Sequence, residues 1–494
     1  MKTLSILYQK STAGNLHNRF WLCVFPLLML TWSCGDLLEE NPQTIAAENF
    51  YNTEEEVRSA VNAIYSPLRM EMAEQIAILD THTDWGYGRG SRAQYNDFEG
   101  FNTANINATS VRWNAYYLSI RNSNLVIKNA PEGTSISEEA LARNLGEAKF
   151  LRAFAYFDLV RNWGSVPLRL DTNLEQLDLA KSSVEDIYSL ILSDLAEAEE
   201  TLPEVQEQIG RPTRYAAKTL LAHVYLTLGR YDESLSKTEE VINSGRYALV
   251  RVNSVEDFQV NLFGPDLTTT SEEVFHLKYA REVAQGNWLL WIINHPNTGL
   301  YNLGGAYAHY AVSTDPFYTN WDDADLRKSL WIPIDFGMGS NTLVSGKYID
   351  RQAISNRGAG NDLPIYRYAD VLLMFAEASA RATNEPTEEG LEALNQVHRR
   401  AFGLDPDLPS DEDYQIQDYD EDTFVDLVLQ ERAYEFQFEG KRWLDLKRTG
   451  KAAEVIQQGK GKTIAEKHYL FPIPFEELNL NKALDPTTDQ NPGY

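Results

Sequence analysis

Cysteine is almost absent from the sequence, with Cys23 and Cys34 the only two among 494 residues. Both lie near the N-terminus. If the chain is cleaved before Cys34 and the sulfur of that residue is acylated, no thiol remains for a disulfide or a cysteine metal site. Beyond this region no apolar run has the roughly 20 residues that a membrane-spanning helix needs. The sequence therefore excludes a disulfide scaffold and predicts a soluble globular body.

Positive charge is also scarce, because 44 lysines and arginines face 72 aspartates and glutamates, for a net charge of −28. Nucleic acids bind proteins mainly through cations that neutralise their phosphates. A nucleic-acid partner is therefore excluded. The composition is 43% hydrophobic, which is enough for a sizeable core in one large or two ordinary domains.

The N-terminus has the pattern of a targeting signal. Three basic residues precede an apolar run over 20–32, which is too short to span a bilayer and typical of a signal peptide. Cys34 follows directly after Ser33, as in a bacterial lipoprotein signal, and we expect its thiol to carry the lipid. The alternative is cleavage near Ser33 by ordinary signal peptidase. The predicted organisation is a signal peptide over 1–33, a lipidated spacer over 34–43 and one domain over 44–494.

Helical periodicity dominates the body of the chain. Apolar residues at helical spacing predict helices over 44–72, 111–129 and 184–202. The stretch 147–168 has no polar face, so we expect a helix that is buried on most sides and ends at Gly164. Predicted capping boxes pair Thr53 with Glu56 and Ser135 with Glu138.

One helix pair has the spacing of a tetratricopeptide repeat. Over 211–247, the small residues Ala222 and Ser234 lie twelve positions apart, where two antiparallel helices of such a repeat touch. Weaker copies appear over 366–400 and 422–448, and three or more such pairs stack into a solenoid. The predicted fold is all-α, a tetratricopeptide-like scaffold with long irregular loops and a few short strands.

Two stretches, 80–110 and 253–361, lack any regular period and are rich in aromatic residues. Loops of this length inside a helical protein are usually functional. The glycines at 86, 88 and 90 do not form a dinucleotide-binding fingerprint, because no strand precedes them. We therefore expect the ligand site in these two stretches.

The sequence resembles the SusD/RagB family of Bacteroidetes outer-membrane lipoproteins in several motifs, which occur in the family's order. The resemblance rests on Glu147-Ala-x-Phe-Leu-Arg-Ala with Trp163-Gly-x-Val-Pro-Leu168, on Glu431-Arg-Ala-Tyr-Glu-Phe-x-Phe-Glu439-Gly-Lys-Arg-Trp443-x-Asp445-Leu446, and on Phe471-Pro-Ile-Pro474. It covers essentially the whole chain after the signal. It implies four tetratricopeptide-like units, a location on the cell surface and a SusC-like TonB-dependent transporter as partner. The usual ligands are oligosaccharides, and some members bind peptides.

Sugar recognition needs aromatic faces that stack on pyranose rings and polar groups that bind hydroxyls. In the first stretch we expect Trp85 and Tyr87 to stack, and Asp80, Asp84, Arg89 and Asn96 to bind hydroxyls. In the second stretch the candidates are Trp288, Trp291, Tyr301, Tyr307 and Trp321. The alternative for each aromatic residue is a role in packing, which we predict for Trp113, Trp163 and Trp443.

Catalysis and metal binding are not expected. Seven charged residues lie on the apolar helices: Glu147, Arg152, Glu431, Arg432, Glu435, Glu439 and Arg442. Buried charges are retained chiefly in pairs, so we expect ion pairs between helices rather than the acid and base of a glycosidase. His82 and His309 lack partners at metal-ligand spacing, and no cofactor is predicted.

The predicted function is a glycan-binding lipoprotein of the outer membrane that delivers oligosaccharide to the transporter. Three alternatives remain open: a peptide-binding member of the same family, a tetratricopeptide lipoprotein that binds only proteins, and a surface glycosidase.

Overall fold

A computed structural model describes residues 50–494, except 103–104 and 302–306. The predicted signal peptide, Cys34 and the spacer over 34–43 lie outside these described residues. So does the first part of the helix predicted over 44–72. Within the described part of the chain, no helix is long and apolar enough to cross a membrane.

The structure is mainly helical, with short strands between the helices. The helices are α1 Glu54–Thr81, α2 Ser110–Asn129, α3 Glu138–Trp163, α4 Val184–Thr201, α5 Arg214–Thr227, α6 Tyr231–Ile242, α7 Leu289–Ile293, α8 Tyr368–Thr383, α9 Glu388–Ala401, α10 Glu421–Glu435, α11 Arg442–Arg448, α12 Ala452–Lys460 and α13 Phe475–Leu480. The strands are β1 Glu273–Leu277, β2 Tyr310–Val312, β3 Trp331–Pro333, β4 Thr342–Ser345 and β5 Leu363–Arg367. Short single turns lie at Val255–Asp257 and Pro316–Thr319.

Side-chain caps begin the two longest helices. The capping box of α1 is confirmed, since Thr53 Oγ1 accepts from the Glu56 amide and the Glu56 carboxylate accepts from the Thr53 amide. The box predicted at the start of α3 was wrong in its position. Ser137, rather than Ser135, caps this helix and accepts from the Ala140 amide at 3.2 Å. The Gly164 residue ends α3 with a φ of +72°, a conformation that favours glycine.

Helix α3 is buried along most of its length, as predicted, and packs against α2 and α4. The tetratricopeptide contact between α5 and α6 is also present, because Ser234 Oγ donates to the Ala222 carbonyl at 2.9 Å. Helix α8 packs against both α6 and α9. The later helix pair therefore continues the stack of the earlier one, although about 125 residues separate α6 from α8 in the chain.

Two small antiparallel sheets form within the long irregular segment. Strand β1 pairs with β5 and joins this segment to the start of α8. Strand β4 lies between β2 and β3, with Leu343 opposite Ala311 and Val344 opposite Ile332. The side chains of β4 are buried along the whole strand. The sheets anchor an otherwise irregular segment to the helical scaffold.

A buried network of ion pairs joins β5 and α9 to α10. Arg367 contacts Glu272, Glu435 and Glu439, and Arg400 contacts Glu272 and Glu435. These side chains are almost fully inaccessible to solvent. The structure pairs every charged residue that was predicted to form an ion pair: Glu147 with Arg211, Arg152 with Asp194, Glu431 with Arg327, Arg432 with Asp445, Glu435 and Glu439 with Arg367, and Arg442 with Asp84.

Acid should weaken this network. Burial by itself would raise the pKa of Glu439, but Arg367, Lys347 and Lys441 outweigh it and lower that pKa to about 2. A folded pKa below the unfolded value of about 4.3 adds stability above pH ~4.3, and this contribution is lost as the pH falls towards 2. We expect Glu439→Gln to be less stable than wild type at pH 5, with the gap about 1–2 kcal/mol smaller at pH 3. Denaturant unfolding at the two pH values measures the difference in unfolding free energy between wild type and variant. If this difference is the same at both pH values, the pKa of Glu439 is not lowered in the folded protein.

Candidate functional site

The two aromatic stretches meet at a backbone bridge between Tyr87 and Tyr310. The Tyr87 amide donates to the Tyr310 carbonyl at 2.8 Å, and the Tyr310 amide donates back at 2.9 Å. The two rings stack with centroids 5.3 Å apart and planes 17° apart. Gly86 permits this path, because a Cβ there would lie 2.0 Å from the Asp80 carbonyl oxygen. The loop can therefore fold back only with glycine at this position.

Tyr87 is half-buried between polar partners. Its hydroxyl donates to Asp315 Oδ2 at 2.8 Å, and Lys460 Nζ lies 4.1 Å from the ring centroid. Lys460 also donates to the Gly86 carbonyl. Burial lowers the pKa of Lys460 to about 7. These contacts fix the orientation of the Tyr87 ring and place a carboxylate and an amine beside it.

A second group of rings continues the surface from Tyr310. The edge of Phe336 meets Tyr310 at 6.2 Å, and His295 stacks on Phe336 at 4.8 Å with planes 17° apart. The Arg89 guanidinium lies 5.1 Å from the Phe336 centroid, and its Nε donates to the Tyr307 carbonyl at 2.7 Å. Arg89 therefore connects the first stretch to two parts of the second.

Trp288 and Tyr307 are linked by Arg92. The Arg92 guanidinium lies 4.0 Å from the Tyr307 ring and 5.7 Å from the Trp288 ring, and it is paired with Glu74. The exposed Arg357 covers the Trp288 ring at 4.0 Å. The indole N–H of Trp288 has no hydrogen-bond partner among the described residues. This nitrogen is itself inaccessible to solvent, so the site offers a ligand the exposed part of the ring rather than the N–H.

We use the term aromatic surface for six half-buried rings and two of the arginines that contact them. Its members are Tyr87, Trp288, His295, Tyr307, Tyr310, Phe336, Arg89 and Arg357. Among the residues predicted to bind ligand, the structure brings together four: Tyr87, Arg89, Trp288 and Tyr307. Their ligand contacts stay a prediction.

Five of the predicted ligand residues are buried, and for these the structure corrects the expected role. Trp85 is 1% exposed and packs against Phe317, Trp331 and Phe438, so it presents no face to a ligand. The carboxylate of Asp84 accepts two hydrogen bonds from Arg442. Asp80 is 1% exposed because α1 extends to Thr81 and carries it into the core.

Tyr301 and Trp321 are the other two buried candidates. The Tyr301 hydroxyl donates to the Ser355 carbonyl at 2.8 Å. Trp321 stacks on Tyr434 with centroids 4.3 Å apart, and its indole N–H donates to Asp325. Trp321 therefore holds the irregular segment against α10, whereas Tyr301 joins two parts of that segment. The packing role predicted for Trp113, Trp163 and Trp443 is confirmed by their burial.

Asn96 and Trp291 lie beside the aromatic surface rather than within it. Asn96 Oδ1 accepts from the Gly88 amide at 2.8 Å and so shapes the loop that carries Arg89. Trp291 is half-buried on α7, and its amide donates to the Trp288 carbonyl. A direct ligand contact by either side chain stays a prediction.

Five further residues lie at the site although no motif in the sequence identifies them: Phe336, His295, Arg357, Asp315 and Lys460. Four of them are single residues in a segment without periodicity, and Lys460 ends helix α12, far from both aromatic stretches in the sequence. Tyr310 is a further member of the surface, and its signal in the sequence is that it is one of several aromatic residues in the second stretch. The described residues contain no group of three or more His, Cys, Asp or Glu side chains arranged for a metal ion. Rings beside arginines can stack on and hydrogen-bond a polar ligand.

These features define a helical-repeat protein whose irregular segments present an aromatic surface. Two family models match its sequence: the SusD family over residues 318–494, and a family described as "Starch-binding associating with outer membrane" over residues 36–226. The chain belongs to the SusD/RagB family, and the predicted all-α class with tetratricopeptide-like repeats is confirmed. Neither match includes 227–317, the segment that supplies Trp288, His295, Tyr307 and Tyr310.

The similarity to known proteins covers nearly the whole chain. The sequence is 27% identical to SusD-like protein P2 of Formosa agariphila, over 95% of this chain and 99% of that protein. A SusD homologue from Bacteroides thetaiotaomicron has the same fold, with a TM-score of 0.76 and 22% identity over 91% of this chain and 98% of that one. Surface glycan-binding protein A of the same organism, solved with laminarihexaose, has a TM-score of 0.73 and 23% identity over 89% and 100%.

Proposed function

We propose that this protein is a glycan-binding lipoprotein of the cell surface that delivers oligosaccharide to a SusC-like TonB-dependent transporter. The aromatic surface carries the proposal. It offers half-buried rings for stacking on the C–H faces of a sugar. Arg89 and Arg357 lie beside these rings as donors for hydroxyl groups.

The comparisons support the ligand class and the location. A protein with the same fold was solved with laminarihexaose, and another is described as a laminarin-binding SusD-like protein. One matching family is described as associating with the outer membrane. For this chain we propose attachment through lipid on Cys34 after removal of 1–33, with 34–43 as spacer and 44–494 as one ligand-binding domain.

The proposed role is binding without catalysis. Asp315 lies beside the aromatic surface, where burial raises its pKa and its carboxylate accepts a hydrogen bond from the hydroxyl of Tyr87. A glycosidase of the common type needs a second carboxyl group about 5–10 Å from the first, on the other side of the scissile bond. Asp315 instead serves to orient Tyr87.

Titration calorimetry tests the ligand class. The purified chain without its signal would be titrated with a panel of plant, algal and host oligosaccharides, and with a matched panel of peptides. We expect at least one oligosaccharide to bind and to be recovered intact. Binding to peptides alone would replace the proposal with the peptide-binding alternative, and cleavage of an oligosaccharide would replace it with a glycosidase.

A further inference from the structure

A crevice of about 390 Å³ lies between α1, the loop over 208–211 and the segment that leaves β1. Its volume is within the range of small-ligand sites. From α1 it is lined by Asn62, Tyr65 and Arg69, which share one helical face. The opposite walls supply Gln208, Arg211, His276, Lys278, Tyr279 and Gln285. These residues are different from those of the aromatic surface.

The lining contains three cations and no carboxylate, in a chain whose net charge is −28. Two of the cations are paired with carboxylates that do not line the crevice. Arg211 is paired with Glu147 at 2.8 Å, and Lys278 with Glu273 and Asp362 at 2.7 Å each. These ion pairs fix the walls of the crevice. The unbalanced positive charge of the crevice therefore comes from the third cation.

Arg69 is the cation without a carboxylate partner among the described residues. Its guanidinium donates only to neutral oxygens, the side-chain and main-chain carbonyls of Gln285 at 2.8 and 3.1 Å. It lies 5.1 Å from the Tyr279 ring, and the Tyr279 hydroxyl donates to the Arg69 carbonyl at 2.6 Å. The cation is therefore held in place by neutral groups that do not balance its charge.

His276 provides a second polar group that a ligand in the crevice could bind. It is 5% exposed and lines the crevice, and its Nε2 has no hydrogen-bond partner among the described residues. Burial keeps the pKa of His276 well below its usual value, so the ring is neutral. A buried polar atom normally has a partner. A ligand in the crevice would supply it.

We propose that this crevice binds a saccharide unit that bears an oxyanion, with its carboxylate or sulfate on Arg69 and a hydroxyl on His276. Arginine binds such oxyanions with two parallel hydrogen bonds. The amides of Asn62, Gln208 and Gln285 suit the remaining hydroxyls. The saccharide part of this proposal rests on the proposed glycan-binding function, whereas the oxyanion part does not.

Calorimetry with three disaccharides and one free ion tests the proposal. The probes are digalacturonate, a monosulfated lactose, unsubstituted lactose and inorganic sulfate. We expect at least one of the two anionic disaccharides to bind tenfold or more tightly than both lactose and inorganic sulfate. Whichever of the two binds more tightly shows whether the crevice prefers a carboxylate or a sulfate. The proposal would be overturned if lactose or inorganic sulfate bound as tightly as the anionic disaccharides. It would also be overturned if neither anionic disaccharide bound.

Variants assign the binding to the crevice. Arg69→Gln should lower the affinity for the anionic disaccharide at least tenfold. Arg69→Lys should lower that affinity less, because the positive charge remains. Arg230→Gln, the same change at an exposed arginine directly before α6, should leave the affinity unchanged. Thermal melting checks that each variant is folded. If Arg69→Gln leaves the affinity unchanged, or if Trp288→Ala abolishes it, the anion binds elsewhere and the proposal fails. The glycan-binding function itself would survive either result.

Discussion

Replacing Arg367 by methionine should lower the free energy of unfolding by about 3–5 kcal/mol. The Arg367 side chain is fully buried and contacts three carboxylates, those of Glu272, Glu435 and Glu439. Methionine fills much of the same volume but removes the one cation that contacts all three carboxylates, so that Arg400, Lys347 and Lys441 are left to balance them. An uncompensated buried charge is far more costly than a missing surface pair.

Denaturant unfolding followed by circular dichroism measures this effect. Arg251→Met is the matched control, because Arg251 also pairs with two carboxylates, Asp405 and Asp407, but is exposed. Surface ion pairs add little to stability, so the control should unfold close to wild type. Equal shifts in the two variants would show that the buried network does not hold β5 and α10 together.

Replacing Trp288 by alanine should weaken binding of the cognate oligosaccharide about tenfold or more, a loss of at least ~1.4 kcal/mol. The stacking face of the ring is lost, whereas the fold should persist because the side chain is only half-buried. Calorimetry measures the affinity, and a melting curve confirms that the variant is folded.

Tyr225→Ala provides the control for this variant. Tyr225 is also a half-buried ring with a guanidinium over it, that of Arg230 at 4.5 Å, but it lies on α5 within the helical repeat. We expect it to retain full affinity. The reverse outcome, with Tyr225→Ala deficient and Trp288→Ala normal, would move the binding site to the repeats and favour a protein that binds only proteins.

The sequence predicted the scaffold well because its signals are local. Helical spacing identified α3 and α4, and the twelve-residue spacing of Ala222 and Ser234 identified the α5–α6 contact, which the hydrogen bond between them confirms. Charges on apolar helices were predicted to be paired, and they are. The partners could not be predicted, since Arg367 meets a glutamate 72 positions away. Such pairings depend on tertiary packing.

The candidate site was predicted as two stretches rather than as a set of side chains. The reason is visible at Trp85 and Tyr87, two positions apart in the same glycine-rich loop. Trp85 points into the core, whereas Tyr87 reaches the surface and stacks on Tyr310. No period in the sequence distinguishes them. Phe336 and Arg357 were missed for the same reason, because only the folded segment brings them to the rings.

Hydrogen–deuterium exchange with and without the cognate oligosaccharide tests most directly the claim that the irregular segments, rather than the helical repeats, bind ligand. The account predicts slower exchange over 86–97 and 288–336 in the presence of ligand, with α3, α5 and α6 unchanged. Protection of the helical repeats with no change in these two segments would contradict it.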